Sequence, residues 1–479
     1  MTRETLLKNY KLFYFFEELS KIPRGSGDEK AISDHIYEFA KENGLEAYQD
    51  EMNNLIIKKP AHSTMADRPG VILQGHLDMV NVKEEDCNHD FDKDPIKLIY
   101  TEDLITADGT SLGADNGIAV AMALALLTDK EAVHPKITAL FTVDEESGMG
   151  GAANLDPTHV EGEIMINIDS EEEGIFLGSC AGGVRNIVTQ TVKRTDSKFK
   201  ETYKVKISNL LGGHSGSEIH TGRANAIKLL GRMLQSFKES FEFELVSLTG
   251  GEKMNAIPNR AEAIIRTSHK DKLDELVDSL RNTYSKEYGM VEKNITITTT
   301  SEESEMKSMT TESRNYVIAL LRLIPYGPQT MSQAIEGLVE SSSNIGVLTT
   351  EGDAVLFESA IRSSVQTLKH EIAKRIQEAA MLTGADFKLI SDYPAWEYRE
   401  DSHIREVFKS SYKKLFNKDA KIDAIHAGLE CGLLTEKLGA IDMISMGPNM
   451  YEVHSPNERL EIQSTIRTWE LLNDVLKNV

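Results

Sequence analysis

Apolar positions along the chain switch between helical and strand-like spacing. Residues 4–20 carry hydrophobic side chains at helical intervals, and Ile22-Pro23-Arg24-Gly25-Ser26-Gly27 breaks that pattern. A second helical pattern covers about 29–43. Strand-length runs follow at 54–58, 70–74 and 97–105. Residues 115–127, rich in alanine and leucine, read as a buried helix, and 137–143 and 164–168 as buried strands. Strands alternating with helices predict an α/β fold with a mixed, largely parallel sheet.

The texture changes near residue 195, where 194–201 is polar and charged and reads as a linker. From there to about 393, the order helix, strand, strand, helix, strand occurs twice. The first pass is 224–237, 242–247, 261–268, 272–288 and 294–299; the second is 313–323, 344–349, 354–363, 365–382 and 386–390. "AEAIIRTS" and "VLFESAIRSS" fall at matching places, so we read an internal duplication. After about 401 the α/β texture returns, with helices at 404–416 and 466–477 and strands at 422–425 and 442–445. At 479 residues the chain exceeds what one core usually serves. The predicted architecture is a catalytic domain made from 1–194 and 394–479, with an α+β lid domain inserted at 195–393.

Charge narrows the partners. A formal net charge of −23 repels nucleic acid and anionic membranes. No apolar run reaches the length of a membrane span, and the start of the chain shows no cleavable leader, so the expected location is cytoplasmic. Three cysteines without CxxC spacing do not make a disulfide framework or a cysteine zinc knuckle.

Five segments place metal-type ligands at the end of an apolar run or in the loop beyond it. They are Val71-Ile72-Leu73-Gln74-Gly75-His76-Leu77-Asp78, Leu112-Gly113-Ala114-Asp115-Asn116-Gly117, Phe141-Thr142-Val143-Asp144-Glu145-Glu146, Met165-Ile166-Asn167-Ile168-Asp169 and Val453-His454-Ser455-Pro456. Each alone has a plain reading: Asp115 as a helix cap, Glu145-Glu146 as a solvated pair, His454 as a loop histidine. Open α/β sheets gather ligands beyond the carboxyl ends of their strands. Five such ends meeting there would bring two histidines and several carboxylates together, a donor set that suits zinc, manganese or cobalt.

With GHLDMV, GADNGIAVA, FTVDEESGMGGA, INIDSEEEG and VHSPNE on the page, the chain resembles the co-catalytic zinc peptidases. That family includes carnosine dipeptidases, tripeptide aminopeptidases and glutamate carboxypeptidases. "GGHSGSEIHTGRANA", "NAIPNRAEA" and "AIHAGLECG" are most similar to its bacterial aminoacyl-histidine branch, and the likeness runs through the whole chain. The resemblance implies two divalent metal ions, zinc with manganese or cobalt as alternatives. It implies that His76, Asp115 and Asp169 hold one ion, and that Asp115, Glu146 and His454 hold the other. Asp78 would orient His76, and Glu145 would be the general base. A cis peptide is implied at Asp115-Asn116.

By the same resemblance, His214 is the donor to the tetrahedral oxyanion. Asn255, Arg362 and Gly428 would meet the substrate carboxylate, and Glu430 the substrate amine. The implied activity is hydrolysis of dipeptides of the Xaa-His kind, with action on other small peptides or N-acyl amino acids as the alternative. The implied partner is a small peptide, with the protein a monomer or a homodimer. A doubled lid could imitate a dimer interface and let His214 act within its own chain.

Overall fold

In the computed structural model, which describes residues 2–439 and 441–479, the chain divides into two compact units. The first comprises Met1–Ser179, Tyr398–Ala424 and Leu429–Val479; the second comprises Cys180–Glu397 and Ile425–Gly428.

The first unit is built on an eight-stranded mixed sheet. Its four central strands, Ile137–Thr142, Val71–His76, Ile164–Asn167 and Asp442–Ser445, are parallel neighbours. All four are buried on both faces, which is why they read as unbroken apolar runs rather than alternating ones. Ala114–Thr128 packs on this sheet and against the Lys11–Leu19 helix. It is buried on nearly every side, and its alanines allow that close approach.

Two local expectations change. The single helix expected over 4–20 is two, Arg3–Asn9 and Lys11–Leu19, with Tyr10 extended between them. The break sends Leu6 and the Leu12, Phe13 and Phe16 face into one core. The run at 97–105 is a hairpin, Leu98–Tyr100 and Leu104–Ala107, turning at Thr101.

The second unit is a nine-stranded antiparallel sheet covered by helices. In chain order its main elements are β1 (Gly182–Thr191), β2 (Thr202–Ser208), α1 (Ala226–Ser240), β3 (Glu244–Gly250), β4 (Ala261–Arg266), α2 (Lys270–Tyr288), β5 (Thr296–Ser301), α3 (Thr311–Leu323), β6 (Val339–Glu351), β7 (Ala354–Ser363), α4 (Gln366–Thr383) and β8 (Asp386–Tyr393). The spatial order is β5-β2-β4-β3-β6-β7-β1-β8, with Gly327–Met331 added beside β6. Each half has one plan. The order β5-β2-β4-β3 is mirrored by β8-β1-β7-β6, and the halves meet where β3 pairs β6 at Thr249 with Thr349 and Gly250 with Leu348.

The leading strand of the second half, β1, precedes the whole first half, so one half is nested inside the other. The unit therefore begins at Cys180 rather than at residue 195. Gly182 to Thr191 pair without interruption with Ser363 to Ala354, which commits β1 to this sheet.

Candidate active site

Four of the five ligand segments leave the parallel strands or the helix packed on them. Val71–His76 ends in His76, Asp115 opens the Ala114–Thr128 helix, Glu146 follows Ile137–Thr142 and Asp169 follows Ile164–Asn167. His454 comes from the loop after Met450–Tyr451. All five side chains meet. His76 Nε2 lies 3.1 Å from Asp115 Oδ1 and 3.5 Å from Asp169 Oδ1. His454 Nε2 lies 3.2 Å from Asp115 Oδ2 and 2.9 Å from Glu146 Oε1. Asp115 thus presents one oxygen to each of two histidine–carboxylate pairs. The Asp115-Asn116 peptide is cis, and Asp144 and His454 sit at φ of 55° and 58°. Positive φ outside glycine is uncommon and gathers at functional sites.

Asp78 braces both halves of this cluster. Its Oδ1 lies 3.3 Å from His76 Nδ1 and accepts from the Glu145 amide, while Oδ2 accepts from Ser26 Oγ and the Glu146 amide. Burial disfavours its charge, yet the His76 ring and these donors hold it at about 2. Asn116, which the sequence did not single out, ties three segments together. Its Oδ1 accepts from the His76 amide, and its Nδ2 donates to Ile168 O and Asp169 Oδ1. Burial pushes Glu145 well above the carboxylate range, helped by Asp169, Glu430 and Glu146 and opposed by His76.

The residues fit a pair of cations. Three carboxylates and two imidazoles converge, and ligand atoms of His76, Asp115 and Glu146 lie within 4.8 Å of one another. Without positive charge the carboxylates would repel. Hydrogen bonds to Asp115 and Glu146 raise His454 to about 11, and Asp115, Asp169 and Asp78 raise His76 against its burial. Cation binding must displace these protons. We expect Zn2+ binding at neutral pH to release protons, with apparent affinity rising as pH rises. Calorimetric titrations in buffers of different ionisation enthalpy check this; heats independent of buffer would contradict it. In the chelated chain the sign is opposite. Stabilisation by protonated His454 is complete below its ordinary 6.5 and is lost as pH climbs toward about 11.

Glu430, expected to meet a substrate amine, is fully buried. Its Oε2 accepts from Gln74 Nε2 and Thr142 Oγ1, both at 2.6 Å. Gln74 Oε1 in turn accepts from Asn167 Nδ2. The carboxyl therefore braces two strands directly and a third through Gln74, and burial lifts it to about 7.

In the second unit, His214 and Arg362 come together, Arg362 from β7 of the nine-stranded sheet and His214 from a separate two-stranded ribbon. His214 ends the short strand Gly213–His214, which pairs with Ala256–Ile257. Asn255 just precedes that partner, and its carbonyl accepts from the Ser215 amide. Arg362 Nη2 lies 3.3 Å from His214 Nε2, and Arg362 Nη1 donates to Tyr393 Oη. The Ser217 amide approaches His214 Nδ1 as Arg362 approaches Nε2, so both ring nitrogens face N–H donors. Burial and Arg362 lower the basicity of His214, so the ring is neutral. Arg266, at the matching end of β4, donates to Thr202, Ser308 and the Ser304 and Met306 carbonyls. Arg362 Nε has no partner among the described residues. His426 donates to or accepts from Ser342 Oγ at 2.7 Å, and burial beside Arg362 holds it neutral at about 3. Gly428 closes the short Ile425–Gly428 passage.

These observations define a metal-dependent peptide hydrolase: the chain belongs to peptidase family M20/M25/M40, which matches residues 72–478. Over 485 aligned residues it is 38% identical to the cytosol non-specific dipeptidase of Escherichia coli K12, covering 100% of this chain and 99% of that relative. It is similar to the crystal structure of the aminoacylhistidine dipeptidase of Vibrio alginolyticus, with a TM-score of 0.93 and 37% identity over 98% of this chain and 96% of the other. The aminopeptidase PepT of Bacillus cereus shares the fold, with a TM-score of 0.57 and 15% identity over 97% of each chain. The chain is a dipeptidase. No helix among the described residues is long and apolar enough to cross a membrane.

Proposed function

We propose that the protein cleaves dipeptides, with a preference for histidine in the second position, using two zinc ions held by His76, Asp115, Glu146, Asp169 and His454. Manganese and cobalt suit the same donors. The observation that carries this reading is Asp115, whose two oxygens face two separate histidine–carboxylate pairs. When bound, the ions would polarise the scissile carbonyl and acidify the attacking water. Glu145 takes the proton of that water and passes it to the leaving amine; a carboxyl held well above its usual range is suited to both tasks. Asp78 keeps His76 in one tautomer.

On the substrate side, His214 donates to the oxyanion, and Arg362 pairs with the free carboxylate. Asn255 and Gly428 contribute at the same end. Neutral His214 is suited to hydrogen-bond donation without carrying charge of its own. Replacing it with alanine should lower kcat by about 10²–10³-fold while leaving metal content unchanged. A variant with full turnover would remove His214 from the reaction. The cytosol is the proposed location, as the name of the E. coli relative gives it for that protein.

The deciding experiment is a hydrolysis panel. Alanyl-histidine, β-alanyl-histidine, other dipeptides, tripeptides and N-acyl amino acids are compared before chelation, after chelation and after return of Zn2+, Mn2+ or Co2+. Xaa-His dipeptides should be cleaved fastest, and only with metal. Equal rates across dipeptides would favour the broad specificity that the E. coli relative's name carries. Faster cleavage of tripeptides or acyl amino acids would overturn the dipeptide preference.

A further inference from the structure

Two buried charges outside the ligand set enclose the loop that carries Asp115. Glu458 is 2% exposed and Arg24 is 3% exposed. The Glu458 carboxylate accepts four consecutive backbone amides: Leu112 and Gly113 on Oε2 at 2.7 and 2.9 Å, and Ala114 and Asp115 on Oε1 at 2.8 and 3.2 Å. From the other side, the Arg24 guanidinium donates to the carbonyls of Leu77, Asp78 and Gly113. The Arg24 carbonyl accepts the Met79 amide. The site is fitted around the guanidinium. A Cβ on Gly113 (φ 68°) or Gly117 would come within 2.5 or 2.6 Å of Arg24 Nη2, so only glycine leaves it room.

We propose that Glu458 and Arg24 are positioning residues that set the shared ligand Asp115 before metal arrives. Glu458 lies four residues beyond His454, so one carboxylate fastens the His454 loop to the Asp115 loop. Arg24 fastens that second loop to the segment carrying His76 and Asp78. Neither residue belongs to the cluster of five histidine and carboxylate side chains. Each acts through the backbone, and four amides on one carboxylate leave the loop a single setting. A neutral amide in place of Glu458 would not serve. Its oxygen has room for two donors, and its NH2 would face the other two amides, donor against donor.

This inference rests on Asp115 being the ligand common to both ions. The test is Glu458→Gln, with Zn2+ affinity measured on the folded fraction by competition against a chromophoric chelator. Wild-type protein and His454→Ala run alongside. Glu458→Gln should weaken both Zn2+ equivalents together, about 10–100-fold each. His454→Ala should weaken mainly one. A purely structural role would lower the folded fraction and leave its Zn2+ affinity as in wild type, and that result would overturn the proposal. If the wild type itself bound no Zn2+, the metal reading beneath it would fall instead. A second measurement needs no variant. In chelated wild-type protein, the amides of residues 112–115 should remain protected from hydrogen exchange, because Glu458 and not metal holds them. Loss of that protection on chelation would also overturn it.

Discussion

Glu145→Ala is expected to cost roughly two to four orders of magnitude in kcat while both metal equivalents stay bound. The split follows from where the residue sits. Glu145 shares none of the short histidine–carboxylate contacts that join His76, Asp115, Asp169, Glu146 and His454. Its amide is held by Asp78, while burial and three neighbouring carboxylates keep its side chain ready to carry a proton. On the proposed mechanism, removing the carboxyl would take away the acceptor for the water's proton and the donor for the leaving amine in one change. The alanine variant should therefore titrate Zn2+ like the wild type and hydrolyse almost nothing. Metal analysis beside steady-state kinetics checks both halves. A variant with wild-type kcat would move the proton shuttle elsewhere.

Asp115→Ala should have the broader effect, emptying both positions at once. Each oxygen of Asp115 faces a different histidine–carboxylate pair, so on the proposed ligation its loss would strip a ligand from each ion and leave no shared anion to offset their repulsion. The affinity loss should exceed the roughly 10–100-fold seen when an outer partner of a metal ligand is removed, and it should apply to both equivalents. Asp169→Ala and His454→Ala, each serving one pair, should mainly weaken one equivalent. Zn2+ titration of the three variants separates a common ligand from two independent ones. If Asp115→Ala retained one tight equivalent, the sharing would be disproved.

The meeting of the five candidate ligands was legible for four of them because each follows a buried parallel strand or opens a buried helix, and parallel sheets point such ends at one place; His454 comes from a loop outside that sheet. Asn116, Arg24 and Glu458 were not singled out, although each lies within or beside a quoted motif. Their work is done on backbone groups of distant segments, and no spacing in a single chain encodes which carbonyl or amide a side chain will reach. Glu430 shows the converse. Its motif drew it toward a substrate amine, yet the side chain points among Gln74 and Thr142 in the interior. The repeat in the second unit was readable from 224 onward because helices and strands recur there in one order. Its leading strand at 182–191 was hidden, because its partner β7 lies far along the chain.

That nested arrangement constrains how the polypeptide is made. As translation proceeds, β1 emerges well before the strands that flank it, and roughly 200 residues separate its end from that of β8. At the ribosome's pace of about 5–20 residues per second, this edge waits on the order of 10–40 s for its neighbours. His454 emerges last of the five ligands, and Glu458 shortly after it. A nascent chain that stops short of residue 454 lacks one of the five clustered side chains, so the cluster closes only after that point has been synthesised.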